Sequence, residues 1–181
     1  MNLEIAFRLV AATPWLAALC AYDMRHRRLP NGLTLGGLAV ALLYCLCWGG
    51  PVMLADGLLA AFFSALFLIL PFFLHSAGGG DVKMLAASGA IVGLHDVVKL
   101  LFAVSLSGFA LAIVMWCMGR VDASRLKHYF RVLFDFRYDR KAGKASLPPR
   151  SSERCRVPFG VAIAAGTWLT LLWMLIDGGH A

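Results

Sequence analysis

Six stretches of this chain are apolar almost without interruption, at residues 3–22, 33–48, 52–74, 82–94, 97–118 and 157–176, and most are joined by very short turns. Runs of this kind predict helices in a hydrocarbon layer ~30 Å thick. The second stretch has 16 residues and the fourth 13, or ~24 and ~20 Å of helix, so each borrows flanking residues or stops short of a full crossing. The fourth reads as a half-span packed inside the bundle. The pattern predicts an all-α, multi-pass transmembrane helix bundle of about six helices, folded as a single domain over residues 1–181. A polar loop at 119–156 separates the fifth helix from the sixth. Pro14 and Pro71 are expected to kink the first and third helices.

Composition agrees with this. With 60% hydrophobic and 15% charged residues and a mean hydropathy of +0.75, the chain falls outside the ordinary soluble class. The first stretch does not read as a secretory signal, because Glu4 precedes the first basic residue and no A-x-A site follows. Leu19 stands where a lipoprotein signal needs a small residue, so the stretch is kept as a helix. Cys20, Cys45, Cys47 and Cys117 lie in or at the ends of apolar stretches and Cys155 in the polar loop. They form neither a disulfide framework nor a C-x-x-C pair and read as small core residues. No metal and no organic cofactor is expected.

Charge then sets the orientation. Of 17 Lys and Arg residues, Arg25, Arg27 and Arg28 follow the first helix and eleven lie between Arg120 and Arg156. The turn carrying Gly78 to Asp81 falls on the same side as these two loops, which the positive-inside rule makes cytoplasmic. Arg8 and Lys99 are exceptions near the other face, within reach of headgroups. The long loop balances its eleven cations with Asp122, Asp135, Asp139 and Glu153, a net of 11 − 4 = +7. Topology and attraction to anionic lipid explain that charge, so nucleic acid is not an expected partner. Leu126, Tyr129, Phe130 and Leu133 have helical spacing, while residues 130–138 also alternate like a strand; residues 141–153 read as a linker.

The candidate chemistry lies in Gly78-Gly79-Gly80-Asp81-Val82-Lys83. Neither phosphate-binding glycine spacing is present there. Glycines let a substrate backbone approach closely, and an ionisable residue among apolar helices marks a site. A second acid, Asp23, stands on the same side at the end of the first helix. Two close carboxylates in a poorly solvated place share a proton, one serving as base on a water and the other as acid. Each has a plainer reading as well: Asp23 beside Arg25, Arg27 and Arg28 as a cap or ion pair, Asp81 as the cap of its own helix. His75 reads as a solvated interfacial residue. Asp56 lies too far across the membrane to join the two acids.

Asp23, then Leu29-Pro30-Asn31, then Gly78-Gly79-Gly80-Asp81-Val82-Lys83-Met84 with Gly89 behind, resembles the type IV prepilin peptidase family of GxGD membrane aspartic proteases. Val157-Pro158-Phe159-Gly160 is also similar to a family pattern. The resemblance implies removal of the short, basic, cytoplasmic leader of prepilin-like proteins, with Asp23 and Asp81 as the catalytic pair and Gly78 and Gly80 shaping the loop. Lys83 matches a family position and either reaches lipid phosphate, holds an acidic substrate group or tunes Asp81. The chain is similar to a short form without the paired C-x-x-C region of longer, methylating members, so methylation is not expected. The expected location is the cytoplasmic (inner) membrane, with membrane lipid as a partner. The basic loop either holds proteins of a pilus or secretion assembly machine or rests on lipid. The alternative function is a non-proteolytic carrier or assembly factor using its acids for protons or ions; a structural anchor would leave the paired motifs unexplained.

Overall fold

A computed structural model of the chain describes residues 3–26, 29–73, 77–118 and 159–177. They form α1 (Leu3–His26), α2 (Asn31–Phe73), α3 (Gly79–Val92), a 3-10 turn (Leu94–Asp96), α4 (Val97–Cys117) and α5 (Phe159–Asp177), with no strand among the described residues. Four runs are long and apolar enough to cross a membrane, namely α1, α2, Leu94–Cys117 and α5. Their large outward side chains, Phe62, Phe102, Phe109 and Trp173 among them, are exposed as lipid-facing groups would be. By packing, the chain divides into two compact units, Met1–Phe109 with Pro158–Ala181 and, separately, Ala110–Val157. The site described below belongs to the first.

The second and third apolar stretches form one helical run, α2, broken at Gly50. There φ is 67° and ψ −159°, a conformation that glycine adopts at little cost. Pro51 follows, where its missing N–H matters least because the helix is restarting. The two halves fold back on each other: a Cβ built on Gly57 would lie 3.1 Å from Cys45 Sγ. Both α1 and α2 continue through their internal prolines, Pro14 and Pro71.

Neighbouring helices run antiparallel, and a few contacts fix their registers. Phe7 stacks on Tyr44 with ring centroids 5.8 Å apart, and Trp15 Nε1 donates to Leu33 O at 2.8 Å. Gly89 of α3 packs on Ala60 and Ser64 of α2, and Gly79 on Phe72. Lys99 pairs with Asp177 at 3.6 Å, while Gly108 lies against Phe159, so α4 and α5 are also antiparallel. Trp168 Nε1 donates to Thr13 Oγ1 at 3.2 Å, tying α5 to α1. Consequently the end of α1 and the starts of α2, α3 and α5 share one end of the bundle; Arg8, Asp56, Val92, Lys99 and Asp177 share the other.

Lipid is as apolar as leucine, so burial alone does little to hold these helices together, and close backbone approach does more. Ala41 and Ala61 of α2 meet Ala86 and Ala90 of α3 in one small-residue seam. A second cluster joins Leu16, Leu19, Leu68, Leu85, Leu100, Ile163 and Leu171. The fourth stretch forms α3, which has 14 residues and is buried along most of its course from Met84 to Val92; short as it is, it reaches from the end holding Leu29 to the end holding Arg8, and so does not stop halfway as its length suggested.

The last carbonyls of a helix have no partners within it. Arg8 meets this need, donating to Ile91 O at 3.0 Å while pairing with Glu4, and a cation there also suits the helix dipole. Asp56 accepts from Leu94 N at 3.0 Å just beyond Gly93, whose φ is 93°. Arg8→Met should therefore cost about 1–3 kcal/mol, the penalty for stranding buried acceptors. Unfolding midpoints in detergent test this, and a midpoint equal to wild type would refute it.

Cys20, Cys45, Cys47 and Cys117 are free thiols. The loop at 119–156 with its helix or strand alternatives, Arg27, Arg28, His75 and Cys155 lie outside the described residues.

Candidate active site

Asp23 sits in the last turn of α1, which runs four residues past the apolar stretch to His26. Its neighbours Tyr22, Met24, Arg25 and His26 are exposed, yet Asp23 is only 5% exposed, because α5 begins against it. Its Oδ2 accepts the backbone N–H of Gly160 at 2.9 Å. Gly160 is the second residue of α5, so that N–H has no partner within its own helix.

The chain enters α2 through Leu29-Pro30-Asn31, with Pro30 O accepting from Leu33 N at 3.1 Å and Thr34 N at 3.2 Å. This stretch touches the glycine run directly. A Cβ built on Gly80 would fall 2.8 Å from Leu29 Cβ and 3.5 Å from Leu29 O, so any larger residue displaces the α1–α2 connection. Lys83 Nζ donates to Asn31 Oδ1 at 2.8 Å.

The glycine run is not wholly loop. Gly78 is the N-cap and α3 starts at Gly79, which puts Asp81 in the first helical turn. The Asp81 Oδ2 accepts the Gly78 N–H at 2.9 Å. Asp81 thus caps its own helix, as the plainer reading expected, and the helix dipole favours an anion there. Capping also fixes the side chain, which is compatible with chemistry at the same carboxyl group.

Of the residues singled out in the sequence, Gly80 and Lys83 are brought onto Leu29-Pro30-Asn31, and Gly78 holds Asp81. Asp23 is held by Gly160. Because Leu29 lies six residues after Asp23 and packs on the glycine immediately before Asp81, both acids belong to the same end of the bundle. What the sequence did not reveal is the partner of each: the Gly160 amide on Asp23, Asn31 on Lys83 and Leu29 on Gly80. The Val157-Pro158-Phe159-Gly160 pattern pointed to the right glycine without showing what it touches.

Gly80→Val should cost about 1–3 kcal/mol of stability, since the added side chain overfills the contact with Leu29. Unfolding midpoints in detergent read this, and a midpoint equal to wild type would refute it.

The described residues line one notable cavity at the opposite end, about 310 Å³, with Glu4, Arg8, Asp56, His95 and Asp96 among its walls. Asp56 is therefore apart from the two acids, as expected. Among the described residues no group of three or more His, Cys, Asp or Glu side chains is placed to hold a metal ion.

Residues 10–113, more than half of the chain, match the family model described as the type IV leader peptidase family. The matched region contains Asp23, Leu29-Pro30-Asn31 and Gly78 to Lys83, and stops short of Gly160. Two proteins named prepilin leader peptidase/N-methyltransferase, from Burkholderia pseudomallei strains 1026b and K96243, are each 35% identical to this chain over 123 residues. The match covers 64% of this chain and 38% of each relative, so the chain spans well under half the length of the relatives it matches. No solved structure matches.

Proposed function

This chain belongs to the type IV leader peptidase family, and from that premise we propose that it is a membrane aspartic endopeptidase removing the short basic leader of prepilin-like proteins. The observation carrying this reading is the convergence of the Leu29-Pro30-Asn31 and Gly78 to Lys83 stretches at the end of the bundle where α1 delivers Asp23.

In this reading Asp23 and Asp81 act on one water. One carboxylate takes its proton as the water attacks the scissile carbonyl; the other, protonated, supports the developing oxyanion. The tetrahedral intermediate then collapses, and the leaving amine takes a proton from the pair. Each carboxyl group has one oxygen on a backbone N–H, Gly160 for Asp23 and Gly78 for Asp81, which limits rotation of both. The lack of a side chain at Gly80 lets Leu29 pack against the start of α3, which brings the α1–α2 connection up to Asp81. Prepilin substrates carry the reactive bond just before a hydrophobic helix, so a site at a bundle end, level with the membrane surface, meets that bond without pulling the helix out of lipid.

A carrier would need acids near the membrane midplane. Asp23 and Asp81 stand at helix ends instead, which favours the peptidase over that alternative. Proteins of a pilus or secretion assembly machine, and anionic lipid, are the partners proposed for the basic 119–156 segment.

Co-expression with prepilin-like candidates tests the function: the leader should be lost only when this protein is present. Orientation follows from the charge distribution. A reporter fused within residues 141–150 should read cytoplasmic and one after Ala181 non-cytoplasmic. The reverse pattern would put the site on the wrong side for a cytoplasmic leader.

A further inference from the structure

We infer that Gly160 is a positioning residue for the reaction: the first turn of α5 aims the Asp23 carboxylate, and the absence of a side chain at 160 is what allows it. The inference rests on the peptidase reading above and adds to it an element that lies outside the matched residues 10–113.

The two acids are held in different ways. Asp81 is held locally, by the N–H of Gly78 three residues before it in its own helix cap. Asp23 is held by a residue 137 positions away, through the 2.9 Å bond from Gly160 N–H to Oδ2. A bond of this type to a carboxylate is shorter and stronger than one between neutral groups. Its geometry depends on the register of α5 against α1, which other contacts set independently. Trp168 Nε1 reaches Thr13 Oγ1 at 3.2 Å, and Ile163 and Leu171 pack in the same core as Leu16 and Leu19. Helix docking thus contributes to the aim of Asp23.

Space makes the same point. A Cβ on residue 160 would sit 2.8 Å from Asp23 Oδ2, 3.1 Å from Cγ and 3.4 Å from Cβ. The atom in the way is the tip of a rotatable side chain, so alanine is accommodated cheaply by turning the carboxylate aside. Folding then changes little while the reacting group is misdirected. Gly166, six residues on, is the opposite case. Its Cβ would meet Val104 N at 2.6 Å and Val104 Cα at 2.7 Å, atoms of a neighbouring helix backbone that cannot swing away. A substitution there disturbs α4–α5 packing and reads as lost stability.

The test uses the full chain in liposomes with a prepilin-like substrate. Gly160→Ala should lower kcat about 10- to 100-fold, the scale of a misplaced reacting group, with KM within about twofold and an unchanged unfolding midpoint. Exchange of Gly160 for glycolic acid, which swaps only the N–H for an ester oxygen and adds no Cβ, should also lower kcat, with folding intact. Gly166→Ala should instead lower the midpoint. Wild-type kcat in both residue-160 variants, or a loss carried by KM alone, overturns the positioning role and leaves the peptidase reading standing. Should wild type cleave no prepilin, the peptidase reading falls, and infrared difference spectra decide the geometry on their own. A shift of the Asp23 carboxyl band on ester exchange, the band being assigned through Asp23→Asn, supports the contact; an unmoved band overturns it.

Discussion

Asp23→Asn and Asp81→Asn are each expected to stop leader removal almost completely, with losses of several orders of magnitude, because groups that act as a unit lose nearly everything when one is removed. Asparagine keeps the shape of the side chain and its acceptor oxygen, so the contacts from Gly160 and Gly78 can persist. What disappears is the ability to take and return a proton. The protein should still insert, since neither carboxylate sits in the α2–α3 seam or the main apolar cluster. The double variant should be scarcely worse than either single one. Cleavage at wild-type rate by either variant, in membranes free of other peptidases, would remove that residue from the mechanism.

Gly89→Ala should have the largest effect on stability among single-methyl changes in the seam. The added Cβ would stand 2.7 Å from Ala60 O and 2.8 Å from Ser64 Cβ. The first is backbone, and it belongs to the helix on which α3 is packed. Overfilling a close-packed site costs about 1–3 kcal/mol, and in lipid this close approach is itself a main source of helix association. A loss of about 3 kcal/mol is expected, read as a lower unfolding midpoint in detergent and as faster proteolysis between α2 and α3. Activity should fall too, because α3 carries Asp81. A midpoint matching wild type would mean that α3 is not held against α2 at Gly89.

Much of this architecture is legible in the chain because its physics is local. Twenty apolar residues make a span wherever they occur, and the 13-residue stretch at 82–94 becomes a short, largely buried helix, α3. Helix ends were less legible. Interfacial polar residues do not stop a helix, so α1 runs on through Asp23 to His26. Glycine is a poor helix former only in a helix interior. With Asp81 supplying the cap, α3 begins inside the glycine run at Gly79. The break at Gly50 lay in plain view as Gly49-Gly50-Pro51, and the two apolar stretches read on either side of it are the two halves that fold back on each other.

The site was legible as a pair of acids and a set of glycines, and not as a set of contacts. Asp23 and Gly160, or Lys83 and Asn31, meet only because antiparallel helices share an end. No spacing rule in one dimension encodes that. Arg8 shows the same limit at the other end: its place at the end expected to be non-cytoplasmic suggested a group reaching for headgroups, whereas it is turned inward onto Ile91 O and Val92 O. The need it answers, the open carbonyls at the end of α3, is met by Arg8 only once α3 is docked against α1.

The central claim is that this chain alone cuts prepilin-like proteins through Asp23 and Asp81. Its most direct test is mass spectrometry of products after the purified protein and a prepilin-like substrate are placed in the same liposomes. The account predicts two fragments from wild type, a basic leader and a pilin beginning at its hydrophobic helix, and intact substrate with Asp23→Asn and with Asp81→Asn. Intact substrate with folded wild-type protein across the range of prepilin-like candidates, or the same two fragments from either variant, would contradict it.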